Sequence, residues 1–132
     1  MELKTKRFRK RDAILDCVRC TTVHPSADWV YARLKPQIPD LSLGTVYRNL
    51  AYFKEQGQIV SLGTVKGVER FDGNTEPHVH YICTDCGDVL DLAGVSIPAA
   101  VSTAAAAECG GSVESCHLSF TGVCARCKKQ VI

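Results

Sequence analysis

The sequence predicts an α+β fold in two domains, residues 1–73 and 74–132. The first part carries three segments of helical periodicity, followed by two short strand patterns around a polar turn. The second part carries further strand patterns, an Ala-rich helix and two Cys-x-x-Cys pairs. Charge changes at the same boundary: the first part has 13 Lys and Arg against 8 Asp and Glu, and the second has 3 against 6.

Composition and charge narrow the class of protein. The chain has 132 residues and a net charge of +2, with its positive charge in the first part. A basic half on a nearly neutral chain indicates a polyanionic partner. No apolar run approaches the roughly 18 residues that a membrane helix needs, and no secretory signal follows the basic N-terminus. We therefore expect a cytoplasmic protein that is not bound to a membrane.

Eight cysteines are many for a chain of this length. Without an export signal, metal ligation is favoured over disulfides. Cys17 and Cys20 lie on a predicted helix over residues 8–20, where core packing or incidental thiols are favoured over metal or redox use. Cys109 and Cys116 are left unassigned, and core packing is the default expectation for them.

Two N-cap residues predict the next two helices. Ser26 precedes a helical pattern over residues 27–35, and Ser42 precedes another over residues 44–56, which Gly57 ends. Two short helices, a tight connection and a third helix with a polar and aromatic exposed face are typical of a helix-turn-helix. The same three-helix pattern also occurs in plain scaffolds.

A β-hairpin is expected after these helices, with strands Ile59–Leu62 and Val68–Phe71 around a polar turn at Gly63–Gly67. It would form the wing of a winged helix-turn-helix that binds double-stranded DNA. The exposed face of the third helix would meet base edges, and the turn would meet phosphate. The basic residues 1–11 are either a solvated terminus or a DNA-contacting arm. The candidate DNA-contacting residues are Thr45, Tyr47, Arg48 and Lys66.

The second part is predicted to be a small α/β domain. Strands are expected over Val79–Cys83 and Val89–Leu92, around a Cys-x-x-Cys-Gly turn. Ser96 is expected to cap an Ala-rich helix over Ile97–Cys109, and a further strand is expected over Val113–Gly122.

The two Cys-x-x-Cys pairs predict a structural zinc site. Each pair makes a tight turn that presents two thiolates, and Zn²⁺ prefers four such ligands. A redox pair would stand at the start of a helix, whereas the first pair here precedes a strand pattern. Four thiolates leave no open position for catalysis. The candidate zinc ligands are Cys83, Cys86, Cys124 and Cys127.

A second candidate site combines imidazoles with carboxylates. His78 and His80 alternate along a strand pattern, so both point to one face, and Asp91 lies on the neighbouring strand pattern. Asp72 ends the predicted wing, and His24 lies at the hinge after the first helix. Three imidazoles and two carboxylates suit Fe²⁺, Mn²⁺ or Zn²⁺, and the carboxylates favour the first two. Ligands from both parts of the chain would make this site a switch.

Several segments together resemble the ferric uptake regulator (Fur) family of bacterial metalloregulators. They are HPSADWVYARL, LSLGTVYRNLAYFKEQG, ERFDGN, HVHYICTDCGDVLDL and the final CARC, within residues 12–127. The resemblance implies a homodimer with an N-terminal winged helix for DNA and a C-terminal dimerisation domain. It implies structural zinc at the four cysteines and a regulatory metal at His24, Asp72, His78, His80 and Asp91. Metal binding would close the dimer onto an AT-rich palindromic operator and repress transcription.

Asp91 resembles the peroxide-sensing (PerR) branch of the family, since iron sensors usually have glutamate at that position. In that branch, Fe²⁺ reacts with peroxide and a ligand histidine is oxidised; the matching positions are His24 and His78. Metal loss then releases the DNA, whereas Mn²⁺ supports DNA binding without this chemistry. The sequence departs from the family pattern of a third metal site, because Val79 replaces a polar ligand and the histidine at His117 is displaced by one residue; His117 is the remaining candidate for such a site.

Three further readings remain open. Within the family, the alternative is an iron, manganese or zinc uptake regulator without peroxide sensing. A metallohydrolase or redox enzyme would need an open metal position and a general base, and the sequence offers no recognisable base. A zinc-stabilised interaction module would leave the helix-turn-helix without a role. We therefore expect a regulator and not an enzyme.

Overall fold

Residues 6–129 are described by a computed structural model of the protein, with side chains from Arg9 onward. The first five residues of the predicted basic arm lie outside this range. The chain divides into two compact units, one up to Thr75 and one from Glu76 onward. The boundary expected from sequence stands two residues earlier. No helix within residues 6–129 has both the length and the apolar character to span a membrane.

Three helices form the first unit's core: α1 (Lys6–Arg19), α2 (Ala27–Leu34) and α3 (Leu43–Glu55). Both predicted N-caps are confirmed, because Ser26 Oγ accepts the N–H of Trp29 and Ser42 Oγ accepts the N–H of Thr45. Apolar residues at helical spacing bury one side of each helix against a single cluster. Its buried members are Ile14, Val18, Ala27, Val30, Leu34, Leu41, Val46, Leu50, Phe53, Ile59 and Phe71.

A β-hairpin completes the first unit: β1 (Val60–Val65) pairs antiparallel with β2 (Val68–Asp72). The predicted hairpin is confirmed, but its turn is shorter than expected. Lys66 and Gly67 alone form it, with φ of 52° and 81°, as a two-residue turn of positive φ requires. A register shift between Ser61 and Thr64 absorbs the one extra residue of β1. Lys66 therefore lies at the tip of the wing.

The second unit is built on a three-stranded sheet of order β4-β3-β5. The central strand β3 (His80–Cys83) pairs antiparallel with β4 (Val89–Asp91) and parallel with β5 (Ser119–Gly122). The strand expected over Val113–Gly122 is therefore wrong in its first six residues, because only the last four pair with β3. The sheet places the first residue of β3, His80, opposite the last residue of β4, Asp91.

Two helices flank the strands of the second unit: α4 (Ala99–Cys109) and α5 (Ala125–Lys128). The expectation that Ser96 caps α4 is wrong, since the N-cap is Pro98 and makes no side-chain bond. A proline disfavours helical conformation in the preceding residue, which explains why the helix does not start at Ile97. No residue of α4 is buried. The short α5 was not predicted from the sequence.

Candidate metal centres and nucleic-acid interface

Four cysteines of the second unit converge. Cys83 ends β3, Cys86 lies in the turn that follows it, Cys124 is the N-cap of α5, and Cys127 lies on α5. Their four Sγ atoms all lie within 4.8 Å of one another, and the Sγ atoms of Cys86 and Cys124 are 3.8 Å apart. Tetrahedral ligands at Zn–S distances of about 2.3 Å stand about 3.8 Å apart. The cluster thus has the spacing of a zinc site.

The surroundings of the thiols favour charge neutralisation by a cation. Cys83 Sγ accepts the backbone N–H of Cys86 at 3.5 Å and that of Cys124 at 3.3 Å. These bonds lower the pKa of Cys83 to about 6, whereas burial raises the pKa of Cys127 to about 12. If all four thiols lost their protons without a bound cation, four thiolates would lie within 4.8 Å of one another and repel. The closed set of four sulfur donors therefore suits a structural Zn²⁺ and leaves no position for a substrate.

One carboxylate oxygen of the second unit faces two imidazoles. Register places His80 opposite Asp91 across β3 and β4, and His78 lies two residues earlier on the same side. Asp91 Oδ1 is 3.1 Å from His78 Nε2 and 3.2 Å from His80 Nε2. Adjacent ligands at about 2.1 Å from one ion lie about 3 Å apart when they subtend a right angle. The three atoms are spaced as ligands of a common metal ion.

The tautomer of His78 supports metal binding at Nε2. Its Nδ1 lies 2.6 Å from the carbonyl oxygen of Glu76, which can only accept, so Nδ1 carries the hydrogen. The lone pair of neutral His78 Nε2 then points toward the Asp91 carboxylate. Two lone pairs at this distance repel each other unless a proton or a metal cation lies between them. A backbone carbonyl bonded to the second imidazole nitrogen is also the usual partner of a metal-binding histidine. The nitrogen and oxygen donors fit Fe²⁺ or Mn²⁺.

His24 and Asp72 form a buried pair within the first unit. His24 Nε2 lies 3.5 Å from Asp72 Oδ2, and only 2% of His24 and 7% of Asp72 is exposed. The other carboxylate oxygen accepts the N–H of Asn74 at 2.9 Å. The φ of His24 is 55°, a left-handed conformation that costs a non-glycine residue about 1–2 kcal/mol. Surrounding contacts must stabilise this backbone, and the imidazole and carboxylate offer one nitrogen and one oxygen donor.

Contacts from β2 hold the His24 hinge, and sequence reasoning did not identify them. The guanidinium of Arg70 donates to the carbonyl oxygens of Val23 and His24, and the N–H of Phe71 donates to that of Pro25 at 2.9 Å. Three consecutive carbonyls are thus bonded to two consecutive residues of the wing. The signal was available, because Arg70 lies two residues before a predicted ligand on a strand and so shares its face.

The predicted DNA-contacting residues all belong to the first unit. Tyr47 and Arg48 are exposed on α3, with Tyr47 52% exposed, and Lys66 is exposed at the wing tip. Thr45 is half-buried, and its Oγ1 lies 2.8 Å from Ser42 Oγ and accepts from Arg48 Nη2 at 3.2 Å. Its hydroxyl therefore supports the helix cap and the Arg48 side chain.

A basic cleft lies beside α3, with a volume of about 530 Å³. Arg11 Nε donates to Asn49 Oδ1 at 3.1 Å, and the Arg11 guanidinium lies 4.4 Å from the centre of the Tyr52 ring. These contacts anchor α1 to the exposed side of α3 and hold the Arg11 guanidinium in place there. Asn49 was not predicted as a site residue. It lies four residues after Thr45 on α3, and this spacing already places it on the same face of the helix. The residues that line the cleft are Lys10, Arg11, Thr45, Arg48 and Asn49.

The remaining cysteines lie apart from the sulfur cluster. Cys17 packs against the first unit's core, and burial raises its pKa, which suits a core thiol. Cys116 is half-buried, whereas Cys20 and Cys109 are exposed. Core packing is therefore wrong for Cys109, and for Cys20 it leaves the other expected role, that of an incidental thiol. Cys20 follows the last residue of α1, and Cys109 is the last residue of α4, a helix of which no residue is buried.

Comparison with known proteins gives concordant matches. Residues 2–121 match the profile of the ferric uptake regulator family. The peroxide operon regulator of Bacillus subtilis is 36% identical over 121 residues, which cover 92% of this chain and 83% of that protein. The peroxide-responsive repressor PerR of Staphylococcus aureus is 40% identical over 83 residues, which cover 63% of this chain and 56% of the relative.

Solved structures give the same fold. The peroxide stress regulator of Campylobacter jejuni superimposes with a TM-score of 0.78 and 28% sequence identity. The match covers 92% of this chain and 91% of that structure. The predicted α+β architecture, with an N-terminal winged helix and a small second domain, is therefore confirmed.

Proposed function

This chain belongs to the ferric uptake regulator family, and on that premise we propose that it is a peroxide-sensing, metal-dependent transcriptional repressor. It acts in the cytoplasm as a homodimer on double-stranded DNA with an AT-rich palindromic operator, and it is not an enzyme. The observation that carries the proposal is the single oxygen of Asp91 that faces His78 and His80 at 3.1 and 3.2 Å. The peroxide regulators among its relatives support the choice of signal.

The regulatory site is proposed to bind Fe²⁺ or Mn²⁺ through five residues. Each unit offers donors of the same chemistry, and neither group alone provides the five or six nitrogen and oxygen ligands that these metals favour. One ion shared by both groups would fix the DNA-binding unit relative to the dimerisation unit, and its loss would release that constraint. The proposed ligands are His24, Asp72, His78, His80 and Asp91, the positions that the sequence resemblance implies.

Peroxide sensing is proposed to proceed through the ligand histidines His24 and His78. Fe²⁺ held by the five proposed ligands would supply the electron that cleaves the peroxide O–O bond, and the ring that is oxidised would return an electron to the iron. In the net reaction, one peroxide oxygen is added to an imidazole ring carbon and the other leaves as water. The altered ring is a poorer ligand, so the metal dissociates and the DNA is released. His78 is held by its bond to Glu76, which keeps its ring beside the metal position.

Exposure to peroxide should release operator DNA only from the iron-loaded protein. We expect a low dose of H₂O₂ to abolish operator binding with Fe²⁺ and to leave it unchanged with Mn²⁺, because Mn²⁺ does not supply the reducing electron. Fluorescence anisotropy of a labelled operator measures release, and mass spectrometry locates the added oxygen atom on the peptides of His24 and His78. The peptide of exposed His117 is the internal control. Equal resistance with both metals would instead identify a metal-uptake regulator without peroxide sensing.

Replacing Arg48 with alanine should reduce sequence preference more than overall DNA affinity. The exposed Arg48 guanidinium lies on α3, where it can bond a guanine edge, and such a contact is worth about 1–3 kcal/mol of base discrimination. We therefore expect roughly a 10-fold or greater loss on the operator and a much smaller loss on random duplex. Competition binding at fixed salt measures both affinities.

The matched control for Arg48→Ala is Arg33→Ala, which removes one exposed positive charge from α2, where Arg33 lies over the Trp29 ring. It should weaken operator and random duplex about equally, if at all. Equal losses on both sequences for Arg48→Ala would assign Arg48 to phosphate contact and not to base recognition.

A further inference from the structure

The wing strand β2 holds one metal-ligand candidate in place through a side chain that is not itself a ligand. Arg70 donates from Nε to the carbonyl oxygen of His24 and from Nη2 to that of Val23. Both carbonyls belong to the hinge between α1 and α2, which lies more than forty residues earlier in the chain. We propose that Arg70 is a positioning residue that presets His24 for the regulatory metal.

The backbone of His24 explains why such a contact is needed. With φ at 55°, His24 adopts a left-handed conformation that a non-glycine residue leaves readily unless contacts retain it. Rotation about this residue would move the imidazole away from Asp72, whose Oδ2 now lies 3.5 Å from Nε2. The two guanidinium bonds lie on both sides of the strained residue and oppose that rotation. A preset ligand loses less conformational freedom when it binds metal, so affinity rises.

The strand β2 also carries Asp72, the second candidate ligand of the first unit. Arg70 and Asp72 lie two residues apart on one strand and share a face, while Phe71 between them bonds the Pro25 carbonyl. Asp72 is fixed in turn by the N–H of Asn74, and a side chain at Gly73 would clash with the Arg19 backbone at 2.7 Å. One short strand therefore positions both the imidazole and the carboxylate that the first unit offers.

The neighbouring residue of the same strand provides a matched control. Glu69 points to the opposite face, where its carboxylate bonds Ser61 Oγ at 2.6 Å and Lys54 Nζ at 3.2 Å. It has no bond to the hinge among the described contacts. Glu69→Gln alters a charge next to Arg70 and leaves the His24 backbone untouched.

Arg70→Ala should weaken binding of Mn²⁺ about 10- to 100-fold, the range found when the outer partners of metal ligands are removed. Arg70→Lys, which keeps the charge but lacks the planar fork, should give an intermediate loss. Glu69→Gln should match the wild type. The probe is Mn²⁺ alone, added to the full-length zinc-loaded protein, with free Mn²⁺ measured by electron paramagnetic resonance in the absence of DNA. Zinc content and the thermal midpoint verify that each variant is folded.

A double-mutant cycle separates positioning from general destabilisation. If Arg70 acts through His24, Arg70→Ala should cost nothing further in a His24→Ala background, whereas a generally destabilising change would weaken binding in both backgrounds. In the metal-free protein, the ring proton signals of His24 should shift in Arg70→Ala while those of exposed His117 stay in place.

Two results would overturn the assignment of Arg70: wild-type affinity in Arg70→Ala, or an equal loss with and without His24. The inference rests on the proposed regulatory site, and the wild-type titration tests that site by itself. If the wild type binds no Mn²⁺ beyond its zinc, both the site and the role of Arg70 are rejected. If the wild type binds Mn²⁺ and Arg70→Ala binds it equally well, only the role of Arg70 is rejected.

Discussion

Replacing Cys83 with serine should release the zinc and unfold the second unit while the first unit keeps its helices. Cys83 is 1% exposed, and its sulfur accepts two backbone N–H bonds within the cysteine cluster. Structural zinc sites contribute about 10–16 kcal/mol of apparent binding free energy, which exceeds the stability of a typical small domain. We expect zinc content to fall to near zero and amide protection to vanish from residues 76–129.

The composition of the second unit's interior explains why this effect should be so large. The described residues of that unit bury only two aliphatic side chains, Val79 and Val89, besides the cysteines. Its buried cluster consists of Cys83, Cys124 and Cys127, and α4 buries no residue. An apolar core of this size does not offset the conformational entropy of ordering the unit. The first unit has a contiguous core of its own and does not depend on the metal.

Hydrogen exchange followed by mass spectrometry measures the two units separately in one sample. The matched control is Cys109→Ser, which makes the same chemical change at an exposed cysteine outside the cluster. It should leave zinc content and amide protection at wild-type levels. Retention of protection in β3 and β5 of Cys83→Ser would show that apolar packing suffices for the second unit, contrary to this account.

Local signals predicted the first unit well because each of its elements starts or ends at a residue with a strong preference. Ser26 and Ser42 offer side-chain acceptors that the first turn of a helix needs, and Gly57 provides the positive φ that ends α3. Apolar spacing then identified the buried faces. The turn of the wing was placed too broadly, since the register shift near Gly63 depends on pairing across the hairpin and not on local preference.

The second unit was predicted less well because its structure depends on contacts distant in sequence. β5 forms only where it meets β3, and its parallel pairing joins residues almost forty positions apart. The start of α4 was misplaced since the restriction imposed by Pro98 outweighs the capping preference of Ser96. Candidate ligand residues were easier to select, because metal chemistry restricts both residue type and spacing. Arg70 was missed because the spacing that places it on the same face as Asp72 does not show the hinge carbonyls to which it donates.

Asp91→Glu should retain metal-dependent DNA binding and lose the response to peroxide. Asp91 Oδ1 lies 3.1 Å from His78 Nε2 and 3.2 Å from His80 Nε2, so its short side chain places one oxygen between two rings. One added methylene keeps the negative charge that Mn²⁺ or Fe²⁺ requires but changes how the carboxylate approaches the ion. A longer, more flexible carboxylate can occupy a further ligand position and so exclude peroxide. Operator release by H₂O₂ should then slow at least about 10-fold in the Fe²⁺-loaded variant, a barrier change of about 1.4 kcal/mol.

Asp91→Asn separates the charge of this residue from its length. It keeps the shape of the side chain but removes the anion beside two imidazoles. Since loss of an outer-sphere partner already costs up to about 100-fold in affinity, loss of a charged ligand should lower the affinity for Mn²⁺ by at least roughly 100-fold. Operator binding should then no longer respond to Mn²⁺. Asp88→Asn is the control, because Asp88 is an exposed carboxylate of the same unit that pairs with Arg126 at 3.2 Å. If Asp91→Glu responds to peroxide as fast as the wild type, carboxylate length does not select the signal, and metal sensing alone accounts for the site.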